Sequence, residues 1–327
     1  LHFEIFEPIL QAEGINIKVL KDSGNKVVNE GLKYVNNDAC YPSMFVVGQF
    51  IDAVKSGKYD TEHLALLMSQ TGGACRASNY VAFIRKALKD AGYGHIPVIG
   101  LSFQEIESHP GFKFTRKQII RMGKKLVQAL LYADLISRLT LATRPYELIK
   151  GSTNILRDRW IEITTSKDLS YEKEDFIRNV YTMVGEFKRL EISKIKKPKV
   201  GIVGEILVKY DPAANNHLAK VLEGEGAEVV IPDLTDFMMY SFKNQEYKYR
   251  LLSKSWLPSF VCNLGIYYIE YYRKFVSKAL EGTRFTKPEK IENIIDYAKK
   301  YVSLGNQYGE GWLLTGEMVE LIESGTE

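Results

Sequence analysis

Leu64-Ala65-Leu66-Leu67-Met68-Ser69-Gln70-Thr71-Gly72-Gly73-Ala74-Cys75-Arg76-Ala77-Ser78-Asn79-Tyr80 is the stretch on which the fold turns. A short apolar run from Leu64 to Met68 reads as a strand, the glycines as a turn, and the residues beyond Cys75 as a helix start. That helix continues through Tyr80, Phe83, Ile84, Ala87 and Leu88 and stops near Ala91-Gly92-Tyr93-Gly94. Downstream, Ile96 to Leu101 is apolar, β-branched and bounded by glycine and polar residues, which makes it a further strand of the same sheet. Upstream, a helix is expected near Phe3 to Glu13, a strand over Asn16 to Leu20, and a helix over Ser43 to Ser56. In the last of these, Val46, Val47, Phe50, Ile51 and Val54 recur at helical spacing. Strands alternating with helices imply a parallel sheet, and in open sheets of that kind ligands bind beyond the carboxyl ends of the strands.

Residues from about Thr115 to Leu190 read as mostly helical, with Ile119, Leu126, Leu130, Leu135 and Leu139 marking buried stripes. A second α/β lobe opens after Pro198. It has a strand over Lys199 to Val208, a turn-rich loop over Tyr210 to Asn216, a helix over His217 to Gly224 and a strand over Ala227 to Ile231. Helices fill the rest, the last being Trp312 to Glu323. The expected architecture is therefore two Rossmann-like α/β lobes with parallel sheets, 1–110 and 198–327, joined by a helical linker or cap over 111–197. Two strands leave the second sheet's edge uncovered, so this lobe is expected to be incomplete at Glu327.

The 327 residues carry 44 Lys and Arg against 40 Asp and Glu, a balance that gives no case for a nucleic-acid partner. The densest basic run, Lys194 to Lys199, reads as a solvated connector. Three cysteines do not make a disulfide framework, and no uninterrupted apolar run reaches the length of a membrane span. A soluble, cytoplasmic protein without a signal peptide is expected, and the absence of an initiator Met suggests part of a longer polypeptide.

Cys40 and Cys75 each stand where a predicted strand runs into a predicted helix, the first in Asn37-Asp38-Ala39-Cys40-Tyr41-Pro42. Helix N-termini offer unpaired N–H groups and partial positive charge, which suits a thiolate and an anionic iron–sulfur core. Gly72 and Gly73 let backbone amides close on such an anion, and Ser78 and Asn79 lie one turn on, able to donate to sulfur or to cap the helix. Two packed thiols remain the plain alternative. Zinc would need ligands from the five histidines, none of which pairs at helical ligand spacing. Cys262, inside the apolar segment Phe260-Val261-Cys262-Asn263-Leu264-Gly265, reads as a structural thiol. Gly201-Ile202-Val203-Gly204-Glu205 lacks dinucleotide-fingerprint spacing and reads as a tight strand end. Its Glu205 follows that strand into a ligand crevice.

The two cysteine segments, with Gly201-Ile202-Val203-Gly204-Glu205 and Gly309-Glu310-Gly311-Trp312-Leu313-Leu314-Thr315-Gly316-Glu317-Met318, resemble the 2-hydroxyacyl-CoA dehydratase family. Within it, the likeness is to the C-terminal region of large CoA-substrate-specific enzyme activases, relatives of the double-cubane cluster proteins, and it covers nearly the whole chain. The resemblance implies Cys40 and Cys75 as ligands of an iron–sulfur cluster, [4Fe–4S] or double cubane, between two lobes. It also implies an ATP-hydrolysing activator as electron donor, a CoA thioester or other small molecule as substrate, and a homo-oligomer or pseudo-dimer. In the dehydratases one electron makes a ketyl radical on the thioester, which eases loss of a β-proton and the hydroxyl. The family's remaining cluster cysteine falls beyond Glu327. A non-catalytic module docking activator domains, and a binding module for a CoA-like ligand, are the competing expectations.

Overall fold

The computed structural model describes residues 1–69, 75–101, 114–252 and 255–326. It is a mixed α/β chain built mainly of helices around two small parallel sheets. Helices α1 (His2–Ala12), α2 (Asn25–Leu32) and α3 (Tyr41–Lys55) precede β1 (Leu66–Ser69), α4 (Tyr80–Asp90) and β2 (Val98–Leu101). β1 and β2 pair in parallel, Leu66 opposite Val98 and Ser69 opposite Leu101. The apolar periodicity of α3 and α4 has its physical outlet here: Val47, Ile51, Val81, Ile84 and Leu88 are sealed against Leu66 and Val98. Two glycines bring α2 and α3 together. A Cβ on Gly31 would lie 1.9 Å from the Met44 carbonyl oxygen, and one on Gly48 1.9 Å from that of Val27.

The long helix α5 (Arg116–Thr143) starts with a capping box, in which Thr115 Oγ1 accepts from the Gln118 amide and Gln118 Oε1 accepts from the Thr115 amide. It is followed by α6 (Ser152–Thr165) and α7 (Lys173–Arg189). Then come β3 (Lys199–Gly201), α8 (Ile206–Tyr210), α9 (Leu218–Gly224) and β4 (Glu228–Val230). The chain closes with α10 (Leu234–Leu252), α11 (Trp256–Leu280), α12 (Ile291–Lys299) and α13 (Trp312–Glu323). β3 and β4 are parallel, Lys199 opposite Glu228 and Gly201 opposite Val230.

The largest apolar core gathers Leu135 and Ile136 of α5, Trp160 of α6, Phe176 and Phe187 of α7 and Val276 of α11. The segment expected to link or cap thus supplies the middle of the fold, with Ile5 and Ile9 of α1 packed into it. The C-terminal half of α5 is buried on nearly all sides and is apolar to match, so Arg116–Tyr146 is long and apolar enough to cross a membrane. Most of that apolar stretch is packed inside the molecule.

Two strand expectations are corrected. Asn16 to Leu20 forms no strand: its backbone groups are taken by α1 side chains, Val19 N donating to Glu7 Oε2 (2.9 Å) and Ile17 O accepting from Gln11 Nε2 (2.9 Å). Lys199 to Val208 is strand only as far as Gly201, because Glu205 caps a new helix at Ile206.

Candidate functional site

Cys40 is the residue before α3. Its backbone is extended, and its carbonyl oxygen accepts from Ser43 N (3.0 Å) and Ser43 Oγ (2.7 Å), closing the first turn beneath a half-buried thiol. Cys75, also half-buried and extended, leads into the 3-10 turn Arg76–Asn79 that feeds α4, its carbonyl oxygen accepting from Ser78 N at 3.1 Å. Asn79 immediately precedes α4 but makes no side-chain cap. Gly72 and Gly73 lie outside the described residues.

The buried Tyr80 ties the two cysteine turns together, its hydroxyl 3.9 Å from Cys40 Sγ. Burial pushes this phenol far above its usual range, and the neighbouring Cys40, Glu205 and Cys75 push it the same way. It therefore keeps its proton and can donate towards sulfur.

Glu205 reaches this point from the other sheet. Its Oε2 accepts from Val208 N at 2.9 Å, which caps α8. Beside it, Glu310 Oε1 accepts from Ile206 N at 2.9 Å. Burial raises the Glu205 carboxyl above the ordinary carboxylate range, and the Glu310 charge adds to the rise. Tyr240 of α10 donates to the Gly309 carbonyl oxygen at 2.8 Å and is pushed up to about 12, mainly by burial.

Cys75, Tyr80, Glu205, Tyr240 and Glu310 all line one open cleft of about 3050 Å³, whose floor includes Leu130 of α5. Cys262 of α11 also lines it; the thiol is half-buried rather than sealed, and burial raises its pKa. Gly201 is explained by packing, since a Cβ there would lie 2.7 Å from Leu321 Cδ1. His63 and His95 are exposed and pair with Asp60 and Glu62.

As iron ligands, the two helix-entry thiols fit by donor chemistry, because thiolate sulfur is what iron–sulfur clusters bind. No group of three or more His, Cys, Asp or Glu converges among the described residues. Sequence reasoning missed Glu310, Tyr80 and Tyr240 as members of this cluster. For Glu310 a signal existed in Gly309-Glu310-Gly311, where both glycines take positive φ (57° and 45°) and a Cβ on Gly311 would lie 2.1 Å from the Asn306 carbonyl oxygen. A glutamate held between two such glycines is aimed by its turn. Comparison with protein-family models, curated proteins and solved structures found no match.

Proposed function

We propose that this chain is the iron–sulfur component of an ATP-dependent, low-potential electron-transfer system in the cytoplasm. Its reaction would be of the 2-hydroxyacyl-CoA dehydratase or double-cubane reductase kind, on two Rossmann-like lobes. The observation that supports this reading is the Cys40 thiol 3.9 Å from the hydroxyl of Tyr80, the residue that opens α4 just after the Cys75 turn, with Cys75 and Tyr80 both lining the cleft. The sequence resemblance at the same two cysteine segments supports it independently of the geometry.

In this reading Cys40 and Cys75 hold iron, and the bound cluster supplies single electrons of low potential. The chain's own residues do the rest. Tyr80 holds a hydroxyl proton towards Cys40 Sγ, and Glu205, whose carboxyl burial raises above its usual range, is placed to exchange a proton in the cleft. The cleft is roomy enough for a CoA thioester or a similar small molecule, and an ATP-hydrolysing activator delivers the electron.

Iron and acid-labile sulfide after reconstitution without oxygen test the proposal, together with the visible spectrum. The wild-type protein should take up both, and the Cys40→Ser, Cys75→Ser double variant should lose most of them. Equal uptake by the two proteins, or none by the wild type, would sink the redox reading and favour a docking module.

A further inference from the structure

His2 is the one buried histidine among the described residues, and α1 brings it against the middle of α5, where its Nε2 lies 2.8 Å from Asp134 Oδ1. The same carboxyl caps α10: Leu234 N donates to Oδ1 (2.9 Å), and Thr235 donates to Oδ2 through its amide (3.0 Å) and its hydroxyl. Those three donors complete the cap, so capping explains Asp134 but not the histidine. Burial works to raise the Asp134 carboxyl, but His2 and the α10 donors outweigh it and hold the group below the ordinary carboxylate range, so it stays ionised. A carboxylate can only accept. The imidazole proton therefore sits on Nε2, and Nδ1 of the neutral ring keeps its lone pair. Nδ1 has no hydrogen-bond partner among the described residues, and His2 lines the cleft. Leu130 and Ser137, one turn either side of Asp134 on the same face of α5, line it too. So does Tyr210, whose ring meets the imidazole edge-on at 5.3 Å and whose hydroxyl is committed to the Pro232 carbonyl oxygen.

We propose that His2, oriented by Asp134, is a specificity-determining residue of the cleft, its Nδ1 accepting the hydrogen bond of a ligand hydroxyl. The surrounding chemistry selects that donor. A carboxylate would bring no proton and would face the Asp134 charge, and an ammonium would be desolvated against Leu130, Leu234 and the Tyr210 ring, whereas a hydroxyl brings its proton without charge. The choice of a 2-hydroxyacyl thioester as the molecule that carries the hydroxyl rests on the function proposed above; the acceptor itself does not. Helix α8 sets the spacing. Glu205, whose charge reaches Tyr80, caps its start and Tyr210 is its last residue, an axial rise of about 8 Å that one acyl thioester can span. Asp134 acts through the imidazole alone, fixing which ring nitrogen carries the proton.

Calorimetric titration of the metal-free full chain with 2-hydroxybutyryl-CoA, and with butyryl-CoA, which lacks only the hydroxyl, tests the assignment. The wild type should bind the hydroxy thioester about tenfold more tightly, the worth of one hydrogen bond, and His2→Phe should bring the two within about twofold. That variant keeps a ring against Tyr210, so its affinity for butyryl-CoA and its melting curve should stay close to those of the wild type. A second readout needs no variant: in protein labelled with ¹⁵N-histidine, the unprotonated Nδ1 signal of His2 should move when the hydroxy thioester is added and hold still with butyryl-CoA. Equal binding of the two thioesters by the wild type, a His2→Phe protein that weakens both alike, or an Nδ1 already protonated in the free protein would overturn the assignment and leave the CoA reading standing. Binding of neither thioester would overturn both.

Discussion

Around β1 and β2 the buried interior is hydrocarbon from Val35 to Val98, with Ser43 and Asp52 as its buried polar members. Around β3 and β4 it is threaded with charge. There Lys209 Nζ donates to both oxygens of Glu317 (3.2 and 3.1 Å), the two side chains being 3% and 0% exposed. Arg273 donates to Asp236 (2.7 Å) and Arg138 to Asp233 (2.7 Å), while Asp134 accepts from Leu234 N, Thr235 N and His2. The first unit is held mainly by shape and the exclusion of water, which do not respond to pH, with the Asp52–Lys26 pair at its edge. The second is held by ions whose desolvation must be offset by partners at short distance.

The sharpest way to break the contrast is to remove one ion from the second unit. Lys209→Met leaves Glu317 buried without its cation, and urea titration should show a loss of about 3–5 kcal/mol. Adding Glu317→Leu should recover most of it, since an apolar pair of similar volume avoids the desolvation altogether. Recovery by the double variant is what separates a charge effect from a packing effect.

In the first unit the comparable lesion is steric. Gly48→Ala drives a Cβ to 1.9 Å from the Val27 carbonyl oxygen, where the obstacle is backbone and cannot rotate away. The expected loss is about 3 kcal/mol, towards the upper end for overpacking, and it should be the same at pH 5 and pH 8. A pH-dependent loss would show that the two units do not differ as described.

The second unit should also carry its own pH dependence. Burial, opposed by Arg138 and reinforced by Asp233, raises Glu320 to about 7. A carboxyl with a raised folded-state value binds its proton more tightly in the folded state. Its penalty is therefore absent below the unfolded value near 4.5, grows between there and about 7, and levels off above that. Glu320→Gln should flatten that slope and stabilise the protein at pH 8 by on the order of 1–2 kcal/mol. Chemical denaturation at pH 5 and pH 8 measures it; an unchanged slope would assign the dependence to another group of the network.

What could be read from the sequence follows the same division. The apolar spacing in α3 and α4 and the short runs at Leu66 and Val98 report a water-excluding core directly, so the first unit was legible. Asn16 to Leu20 misled because its alternation is real, while its backbone partners, Glu7 and Gln11, are side chains of a helix. Lys209, Arg273 and Glu317 carry no local mark of burial, because what buries them is the approach of segments more than thirty residues away. The site shows both cases. Cys40 and Cys75 stand out by their helix entries, whereas Glu310 meets Ile206 across 104 residues, a contact that no local spacing encodes.

The smallest expected effect sharpens the comparison most finely, because it uses the same substitution in each unit. Gly201→Ala would place a Cβ 2.7 Å from Leu321 Cδ1 and 3.4 Å from Thr326 Cγ2. Here the obstacle is the far end of a flexible side chain, so Leu321 can yield where the Val27 backbone cannot. The loss should be about 1 kcal/mol, and Leu321→Val should reduce it, a coupling that a double-mutant cycle reads directly. No such relief is available to Gly48→Ala. Coupling at Leu321 would mean that Gly201 is small to admit α13. Its absence would mean that something other than the approach of α13 keeps this position small.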